Sequence, residues 1–343
     1  MPDIIAEIGV NHNKSKDVLT RLINGAKEAG AQYVKFQRFI SSDEISEKAT
    51  LANYQKVSNL DFVNQLEMAK KLEMPNDLLI FGIDYCKKIE VKPLCSPFEL
   101  KSIDYIKNVL KLNEVKVPSP EITNIPYLKK IAKNFKKIYL SSGASFLWEI
   151  GFALNTIYDI SPNAEVILMH CVSEYPAPLN ALNLAAIDTL RNAFKLPTGF
   201  SDHSEGYLGS IAALTLGACV IEKHITLDKR MEGPDHKASA TLSDLKKICD
   251  YSKIVNDVIG NGKKIPLLTE IHNKNLIRKS VYLNVKLVRA GERLEPHHFS
   301  CKRPYDKKLL SPNQIELFIG KKLLKDKYFD EGIDLGDFIL WKL

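Results

Sequence analysis

The sequence lacks the features of several protein classes. It has no apolar run long enough to cross a membrane, and residues 4–9 form a strand-like segment without the basic and apolar regions of a signal peptide. It also has neither a Walker loop nor a G-x-G-x-x-G stretch, the glycine-rich motifs that hold nucleotide phosphates. We therefore expect a soluble, cytoplasmic protein that does not bind a nucleotide.

Cysteine is sparse, and its spacing is not that of a disulfide framework. The six cysteines lie far apart and none forms a C-x-x-C pair, which argues against both disulfides and a zinc knuckle. Several fall within apolar segments, where a reduced cysteine behaves as a small core residue. We expect reduced cysteines in a cytosolic protein at positions Cys86, Cys95, Cys171, Cys219, Cys249 and Cys301.

The 343 residues carry a net charge of +7, but the lysines are scattered rather than gathered in one run. This distribution favours a solvated surface over a nucleic-acid interface. A mildly basic field would still help to recruit a small anion.

Eight short β-like segments recur along the chain, and helical patterns separate most of them. Between the first two, an apolar face over residues 16–30 predicts a helix that Gly30 ends. Eightfold strand–helix alternation favours a parallel (β/α)8 TIM barrel over a doubly wound sheet. The predicted strands are residues 4–9, 33–37, 91–96, 115–119, 137–142, 166–171, 198–203 and 219–224.

The composition divides the chain into two domains. We predict the barrel over residues 1–262, a basic linker over 263–279 and a small β-rich domain over 280–343. The last is too small to be very stable alone, so it is expected to pack on a barrel, its own or a partner's. Residues 50–75 have their own helical pattern and are interpreted as an insertion over the barrel mouth.

Two histidines end the last two predicted strands, in Ser201-Asp202-His203 and Glu222-Lys223-His224. Because barrel chemistry lies where strands end, these imidazoles predict a divalent-metal site, with water and substrate as the remaining ligands. The other histidines have simpler explanations. His170 could equally be a core residue or a site residue, and His12 is expected to be a structural residue in a turn. Surface or loop positions are expected for His236, His272, His297 and His298.

A second set of strand-end residues predicts an anion site. Lys35 and Lys116, with nearby hydroxyl groups, suit a phosphate or a phosphate plus a carboxylate. Buried charges of this kind are costly unless they meet each other or a ligand. The hydroxyl and backbone groups are Ser96, Ser119 and Ser142-Gly143, and the side chains suited to sugar hydroxyls or an amide are Glu7, Gln37, Tyr175 and Asp235. Together these groups suggest a metal-assisted reaction that joins a phosphorylated small acid to a polar aldehyde.

A series of motifs in order resembles the sialic acid synthases, a family that includes legionaminic and pseudaminic acid synthases. The resemblance covers essentially the whole chain, and its C-terminal part resembles the family's antifreeze-like (SAF) domain. The motifs are EIGVNHN at 7–13, VKFQ at 34–37, SPF at 96–98, EITNIPYL at 121–128, EYPAP at 174–178, SDHS at 201–204, IEKH at 221–224, GPDHKAS at 233–239, RKS at 278–280 and KRP at 302–304.

The resemblance implies condensation of phosphoenolpyruvate with an N-acylated mannosamine-type sugar, in a domain-swapped homodimer whose small domain caps the partner's barrel. It implies a divalent metal, most often Mn²⁺ and alternatively Mg²⁺ or Co²⁺, on His203 and His224. The implied catalytic residues are Glu121 as acid or base, Glu222 beside metal-bound water, and Glu7 against the sugar. The implied substrate contacts are Lys35, Ser96, Lys116, Ser119, Ser142, Gly143 and Ser201 for phosphoenolpyruvate, and Gln37, Ser173, Tyr175, Asp235 and Arg303 for the sugar.

The chain departs from the family's pattern at Pro120, Ala144, Ser173 and Tyr305, although both lysines and both histidines are retained. Two enzymatic interpretations stay open: a synthase of N-acetylneuraminate or legionaminate, and a pseudaminate or coat-polysaccharide synthase that uses another aldehyde. A third interpretation is a non-catalytic sugar-binding or ice-binding module, which would not need the ionisable residues at the strand ends.

Overall fold

The structure is a computed structural model that describes residues 1–50 and 64–338. It divides into two compact units, Met1–Gly260 and Asn261–Leu343. No helix of the described residues is long and apolar enough to cross a membrane.

The first unit alternates strands and helices, as predicted. Its strands are β1 (Asp3–Glu7), β2 (Tyr33–Arg38), β3 (Lys92–Pro97), β4 (Glu114–Val117), β5 (Lys137–Ser141), β6 (Glu165–Cys171), β7 (Thr198–Asp202), β8 (Val220–Thr226) and the short β9 (Ala240–Thr241). Its helices are α1 (Lys16–Ala29), α2 (Ser41–Glu44), α3 (Gln65–Leu72), α4 (Asn76–Lys88), α5 (Leu100–Asn108), α6 (Ile125–Asn134), α7 (Leu147–Ile160), α8 (Ala186–Phe194), α9 (Leu208–Thr215) and α10 (Leu242–Ile259).

The strands form a nearly closed barrel. Parallel ladders run in the order β3-β2-β1-β8-β7-β6-β5-β4, and β3 lies beside β4 without a ladder between them. The predicted TIM barrel is confirmed, and all eight predicted strands are present.

The barrel interior is a packed core rather than a channel. Inward side chains from six strands form one apolar layer, and below it the hydroxyl groups of Tyr33 and Tyr139 both donate to Glu114 Oε2, at 3.1 and 3.2 Å. Because the interior is filled, a cavity can form only at the C-terminal ends of the strands, which is where barrel enzymes have their active sites. The layer comprises Ile5, Tyr33, Leu94, Tyr139, Met169 and Val220.

Helix α1 shows how local sequence sets an element. The Ser15 hydroxyl caps its first turn by accepting from Val18 N, and Gly30, at φ 100°, ends it in the left-handed conformation that glycine adopts readily. The buried face, which includes Leu19, Leu22 and Ile23, matches the predicted apolar stripe.

The predicted insertion is described only in part, because residues 51–63 lie outside the described residues. On either side of that gap the chain forms α2 and α3. Helix α3 buries Leu66, Met68 and Ala69.

The second unit is small and rich in short strands. Its elements are α11 (Leu268–Ile277), β10 (Ser280–Leu283), β11 (Leu287–Val288), β12 (Phe299–Lys302), α12 (Ile315–Phe318) and β13 (Lys327–Tyr328). Antiparallel pairs β10–β12 and β11–β13 enclose a core of their own, which includes Val281, Leu294 and Ile333. Helix α11 lies within residues 263–279, the stretch predicted as a linker.

Candidate active site

A layer of polar side chains lies above the apolar layer inside the barrel. Strand alternation sends every second side chain inward, so the register places Glu7 beside both Lys35 and His224, and Ser201 beside Glu222. The same parity brings Lys116 and Ser96 into this layer. All of these residues are buried.

Glu222 joins the two lysines. Its Oε1 lies 3.0 Å from Lys35 Nζ, and its Oε2 lies 3.0 Å from Lys116 Nζ. Lys35 also lies 3.3 Å from Glu7 Oε1 and donates to Ser96 Oγ at 3.3 Å. The predicted cationic group therefore exists, and each lysine has an acidic partner.

The pKa shifts in this layer reflect burial and pairing in different proportions. Burial alone would raise the pKa of Glu222, but Lys116 and Lys35 hold it well below its usual value. Burial opposes the charged form of both lysines. For Lys35 two carboxylates outweigh burial and raise the pKa, whereas for Lys116 burial outweighs Glu222 and lowers it. Burial raises the pKa of Glu7 despite its contact with Lys35.

His203 has the form that a metal ligand requires. Its Nδ1 lies 2.6 Å from the carbonyl oxygen of Val172, which can only accept, so Nδ1 carries the proton and Nε2 keeps a lone pair. Burial, with His224 nearby, lowers the pKa of His203 to about 3 and keeps the ring neutral. The Nε2 atom faces the hydroxyl of Tyr175 at 2.9 Å.

His224 lies next to His203, with the two imidazole rings arranged edge to face. The two ring centroids are 5.7 Å apart. Nδ1 of His224 lies 3.4 Å from Asp235 Oδ2, within ion-pair range, yet it is buried and forms no hydrogen bond of normal geometry. Burial would lower the pKa of His224, but Asp235 raises it.

These donors fit a divalent cation. A neutral buried imidazole and a second one with an unsatisfied nitrogen are ligands that Mn²⁺ and similar ions accept. Within residues 1–50 and 64–338, no three His, Cys, Asp or Glu side chains form a group that could hold a metal ion. A cation on His203 and His224 would therefore take further ligands from water and substrate.

A hydroxyl-rich cluster lies where β4, β5 and β6 end. The backbone N–H of Gly143 donates to Ser119 Oγ at 3.0 Å, and Cys171 Sγ lies 3.2 Å from the same oxygen. A Cβ on Gly143 would approach Ser173 Oγ to 2.4 Å and both Ser119 Oγ and Cys171 Sγ to 2.8 Å. Only glycine fits this position without displacing the polar groups around it.

One cavity, of about 330 Å³, joins these parts. Its volume is in the range of small-molecule sites. Eleven of the predicted site residues line it, and Glu7, Ser96 and Gly143 contact residues that do. The eleven are Lys35, Gln37, Lys116, Ser119, Ser173, Tyr175, Ser201, His203, Glu222, His224 and Asp235.

The remaining three predicted site residues, Ser142, Glu121 and Arg303, do not line this cavity either. Ser142 faces a neighbouring cavity and its hydroxyl donates to Met169 O at 3.0 Å, whereas Ser141 lines the main one. Glu121 lies in a turn of 3-10 helix, where Asn124 Nδ2 donates to it at 2.6 Å. Arg303 belongs to the second unit.

Sequence reasoning missed other features of the site. Cys171 was interpreted as a core residue only, yet it is both buried and part of the cavity lining. His236, expected at a surface or loop position, lies in the loop between β8 and β9 but is buried: it is 1% exposed, with Nδ1 2.7 Å from Thr226 Oγ1 and Nε2 3.1 Å from Asn13 Oδ1. An apolar wall on one side of the cavity, also unpredicted, comprises Val10, Phe39, Ile45, Met68, Ala69, Leu72 and Phe98.

Comparison with known proteins identifies the family. Residues 22–264 match the NeuB family. The chain belongs to the NeuB family.

Individual relatives agree with this assignment. The chain is 44% identical over 331 residues to the N,N'-diacetyllegionaminic acid synthase of Campylobacter jejuni, covering 96% of this chain and 98% of that protein. It is 34% identical over 342 residues to the enzyme of the same name from Legionella pneumophila, covering 99% and 93%. A solved sialic acid synthetase from Leptospira borgpetersenii, in complex with citrate, is 29% identical, with a TM-score of 0.69 over 79% of this chain and 90% of that one.

The predicted class of enzyme, a nonulosonic acid synthase, is thus confirmed, as is the predicted family. The interpretation as a non-catalytic sugar-binding or ice-binding module finds no support among these relatives.

Proposed function

We propose that this chain condenses phosphoenolpyruvate with the open-chain aldehyde of 2,4-diacetamido-2,4,6-trideoxymannose, giving a legionaminic-type acid and phosphate. The observation that carries the proposal is one cavity lined by two buried lysines, a hydroxyl cluster and two adjacent imidazoles. Such a cavity can hold an anion next to a polarised carbonyl.

The anion would lie against the lysine and serine groups. Lys35 and Lys116 supply positive charge, and hydroxyl groups from neighbouring strands supply directed donors. We assign the phosphoenolpyruvate contacts to Lys35, Ser96, Lys116, Ser119, Gly143 and Ser201. We keep Ser142 in the assignment because it precedes Gly143 in the chain, although Ser141, and not Ser142, lines the main cavity.

His203 and His224 would hold a divalent metal, for which Mn²⁺ is our first choice and Mg²⁺ or Co²⁺ the alternatives. Bound there, the ion would supply Lewis-acid polarisation of the aldehyde carbonyl. Tyr175 and Asp235, which lie against the two rings, would orient the sugar.

The reaction balances without a further reactant. C3 of phosphoenolpyruvate bonds to the aldehyde carbon, water adds to C2, and the C2–O bond breaks so that phosphate leaves with its bridging oxygen. The added water loses both of its protons as C2 becomes a carbonyl: one goes to the aldehyde oxygen, which becomes a hydroxyl, and the other to the departing phosphate. We propose Glu222 and Glu121 as the groups that hold and move these protons, with Glu7 fixing Lys35 and Gln37 beside the sugar.

The choice of sugar rests on the apolar wall. A trideoxy sugar has a methyl group at C6 and two acetamido methyl groups, which gain more from contact with Phe39, Met68 and Leu72 than a free 6-hydroxyl does. The two legionaminic acid synthases among the relatives support the same choice. Polar contacts would come from Gln37, Ser173, Tyr175, Asp235 and, from a partner subunit, Arg303.

The test is phosphate release from phosphoenolpyruvate with Mn²⁺ and each of two sugars in parallel. We expect release that depends on the diacetamido-trideoxy sugar and is much slower with N-acetylmannosamine. Preference for N-acetylmannosamine would instead support a sialic acid synthase. No release with either sugar, from folded protein, would contradict the proposal.

The assembly and the location belong to the same proposal. A domain-swapped homodimer would supply Arg303 to the partner's barrel, and the small size of the second unit supports an interaction with a larger one. We propose a cytoplasmic location because all six cysteines are free.

A further inference from the structure

The space between the two lysines already contains an anion, the carboxylate of Glu222. Its Oε1 lies 3.0 Å from Lys35 Nζ and 3.2 Å from both Lys116 Nζ and Ser201 Oγ. These three donors are among those assigned to the substrate anion. In this structure they converge on a side chain of the protein instead.

The two buried lysines are matched by two buried carboxylates before any substrate enters. Two ammonium groups, on Lys35 and Lys116, face two carboxylates, on Glu7 and Glu222, and all four are buried. Buried charges need partners, so an entering phosphate-bearing acid cannot simply add to this arrangement. The lysines must turn at least part of their hydrogen bonding from Glu222 to the new anion.

Glu222 does not form hydrogen bonds through both of its carboxylate oxygens. Lys116 Nζ lies 3.0 Å from Oε2, but the approach does not make a hydrogen bond, and Oε2 is buried without one. Oε2 of Glu7 is also buried without a hydrogen bond. A charged contact with poor geometry is weaker than a well-directed one, so exchange for a phosphate or carboxylate oxygen costs less.

We propose that the Glu222 carboxylate lies at the position of the substrate anion in the free enzyme. There it pairs with Lys35 and Lys116 and competes with the anion for them. This inference rests on the proposed function, because it takes the anion to be phosphoenolpyruvate. Competition from Glu222 weakens binding of the substrate anion. The same competition favours release of phosphate when the reaction is complete. If Glu222 only positioned the lysines, loss of its charge would weaken binding of the anion rather than strengthen it.

The test is equilibrium binding of phosphoenolpyruvate and of inorganic phosphate to the full-length protein by titration calorimetry, with and without Mn²⁺. Glu222→Gln keeps the size of the side chain and removes its charge. We expect Glu222→Gln to bind both anions roughly tenfold more tightly or better, because both lysines are then free to direct their charge-assisted hydrogen bonds to the anion. Equal or weaker binding by folded Glu222→Gln would overturn the inference.

Two further variants make the test specific. Glu114 pairs with Lys137 at 3.2 Å at the other end of the barrel, so Glu114→Gln removes the same charge without freeing either lysine and should leave anion affinity unchanged. Glu7 contacts only Lys35 of the two lysines, so Glu7→Gln should give a smaller gain. If Glu222→Gln does not fold, Glu7→Gln decides: a gain supports the inference and no gain overturns it.

The wild-type titration separates this inference from the proposed function. Wild-type protein that binds phosphoenolpyruvate, with no gain in Glu222→Gln, would overturn the inference alone. Failure of the wild type and of all three variants to bind phosphoenolpyruvate would overturn the proposed function and the inference with it.

Discussion

At the scale of single residues, the alternation of side chains along each strand decides which residues point into the barrel and can reach the cavity. Lys35 and Gln37, and likewise Glu222 and His224, are two apart and share the inward face, so the sequence alone placed them together. Parity also separates two neighbours at the end of β5: Tyr139 points inward, so Ser141 does too and lines the main cavity, whereas Ser142 lines a neighbouring one.

Cys171 could not be recognised in the same way. A cysteine at the end of an apolar strand has the sequence context of a core residue, and Cys171 is indeed buried. Its contact with Ser119 Oγ depends on where β4 and β6 place two residues that are 52 apart in sequence.

Gly143 gives the residue-scale prediction. Gly143→Ala would push a methyl group against Ser173, Cys171 and Ser119, so we expect kcat/KM for phosphoenolpyruvate to fall by about tenfold or more as directed hydrogen bonds are lost. Steady-state kinetics at saturating sugar would measure the change.

The matched control is Gly151 on α7, where an added Cβ meets only Phe194, at 3.6 Å. Gly151→Ala should leave kcat/KM unchanged and raise the free energy of unfolding by roughly 0.5–1 kcal/mol, because alanine is the better helix former. Equal activities for the two alanine variants would contradict the role given to Gly143.

At the scale of elements, periodicity predicted the eight strands and α1 because each element buries one face of a repeating pattern. It could not predict the environment of His236, whose partner Asn13 is 223 residues away in sequence. That hydrogen bond connects the loop after β1 to the loop that contains Asp235, and such loop contacts leave no periodic signal.

The element-scale prediction concerns the outward faces of β7 and β8, the strands that lead to the two histidines. Lys223 is fully buried, lies 3.0 Å from Asp202 Oδ2 and donates to Ser204 O. Lys223→Met would leave Asp202 buried without its cation, so we expect the free energy of unfolding in urea to fall by about 3–5 kcal/mol.

Lys246→Met is the control, because Lys246 pairs with Asp250 at 3.0 Å on an exposed helix face. Loss of an exposed pair should cost less than about 1 kcal/mol. If Lys223→Met were no more destabilised than Lys246→Met, the buried pair would not stabilise the strands as argued.

At the scale of the whole molecule, the count of strand–helix repeats was enough to predict the barrel, because the alternation has few other solutions. Assembly is different. The proposed sharing of Arg303 between subunits depends on the path of the chain between the two units, which composition does not encode.

Subunit mixing tests the assembly. If each active site takes His203 from one subunit and Arg303 from its partner, a dimer of one His203→Ala and one Arg303→Ala subunit has one intact site. Random mixing of the two inactive variants should then restore about a quarter of wild-type turnover.

Mixing His203→Ala with His224→Ala provides the control, since both substitutions damage the same kind of metal site and no intact site can form. No recovery in verified mixed dimers of His203→Ala and Arg303→Ala would show that the site is not shared between subunits.

The central claim is that this cavity joins phosphoenolpyruvate to a sugar aldehyde with cleavage of the C–O bond. The most direct measurement uses phosphoenolpyruvate labelled with ¹⁸O in its bridging oxygen, with Mn²⁺ and 2,4-diacetamido-2,4,6-trideoxymannose, and mass spectrometry of both products. We predict sugar-dependent phosphate that carries the label and a nonulosonic acid that does not. Label retained in the acid, or phosphate released equally well without sugar, would contradict the account.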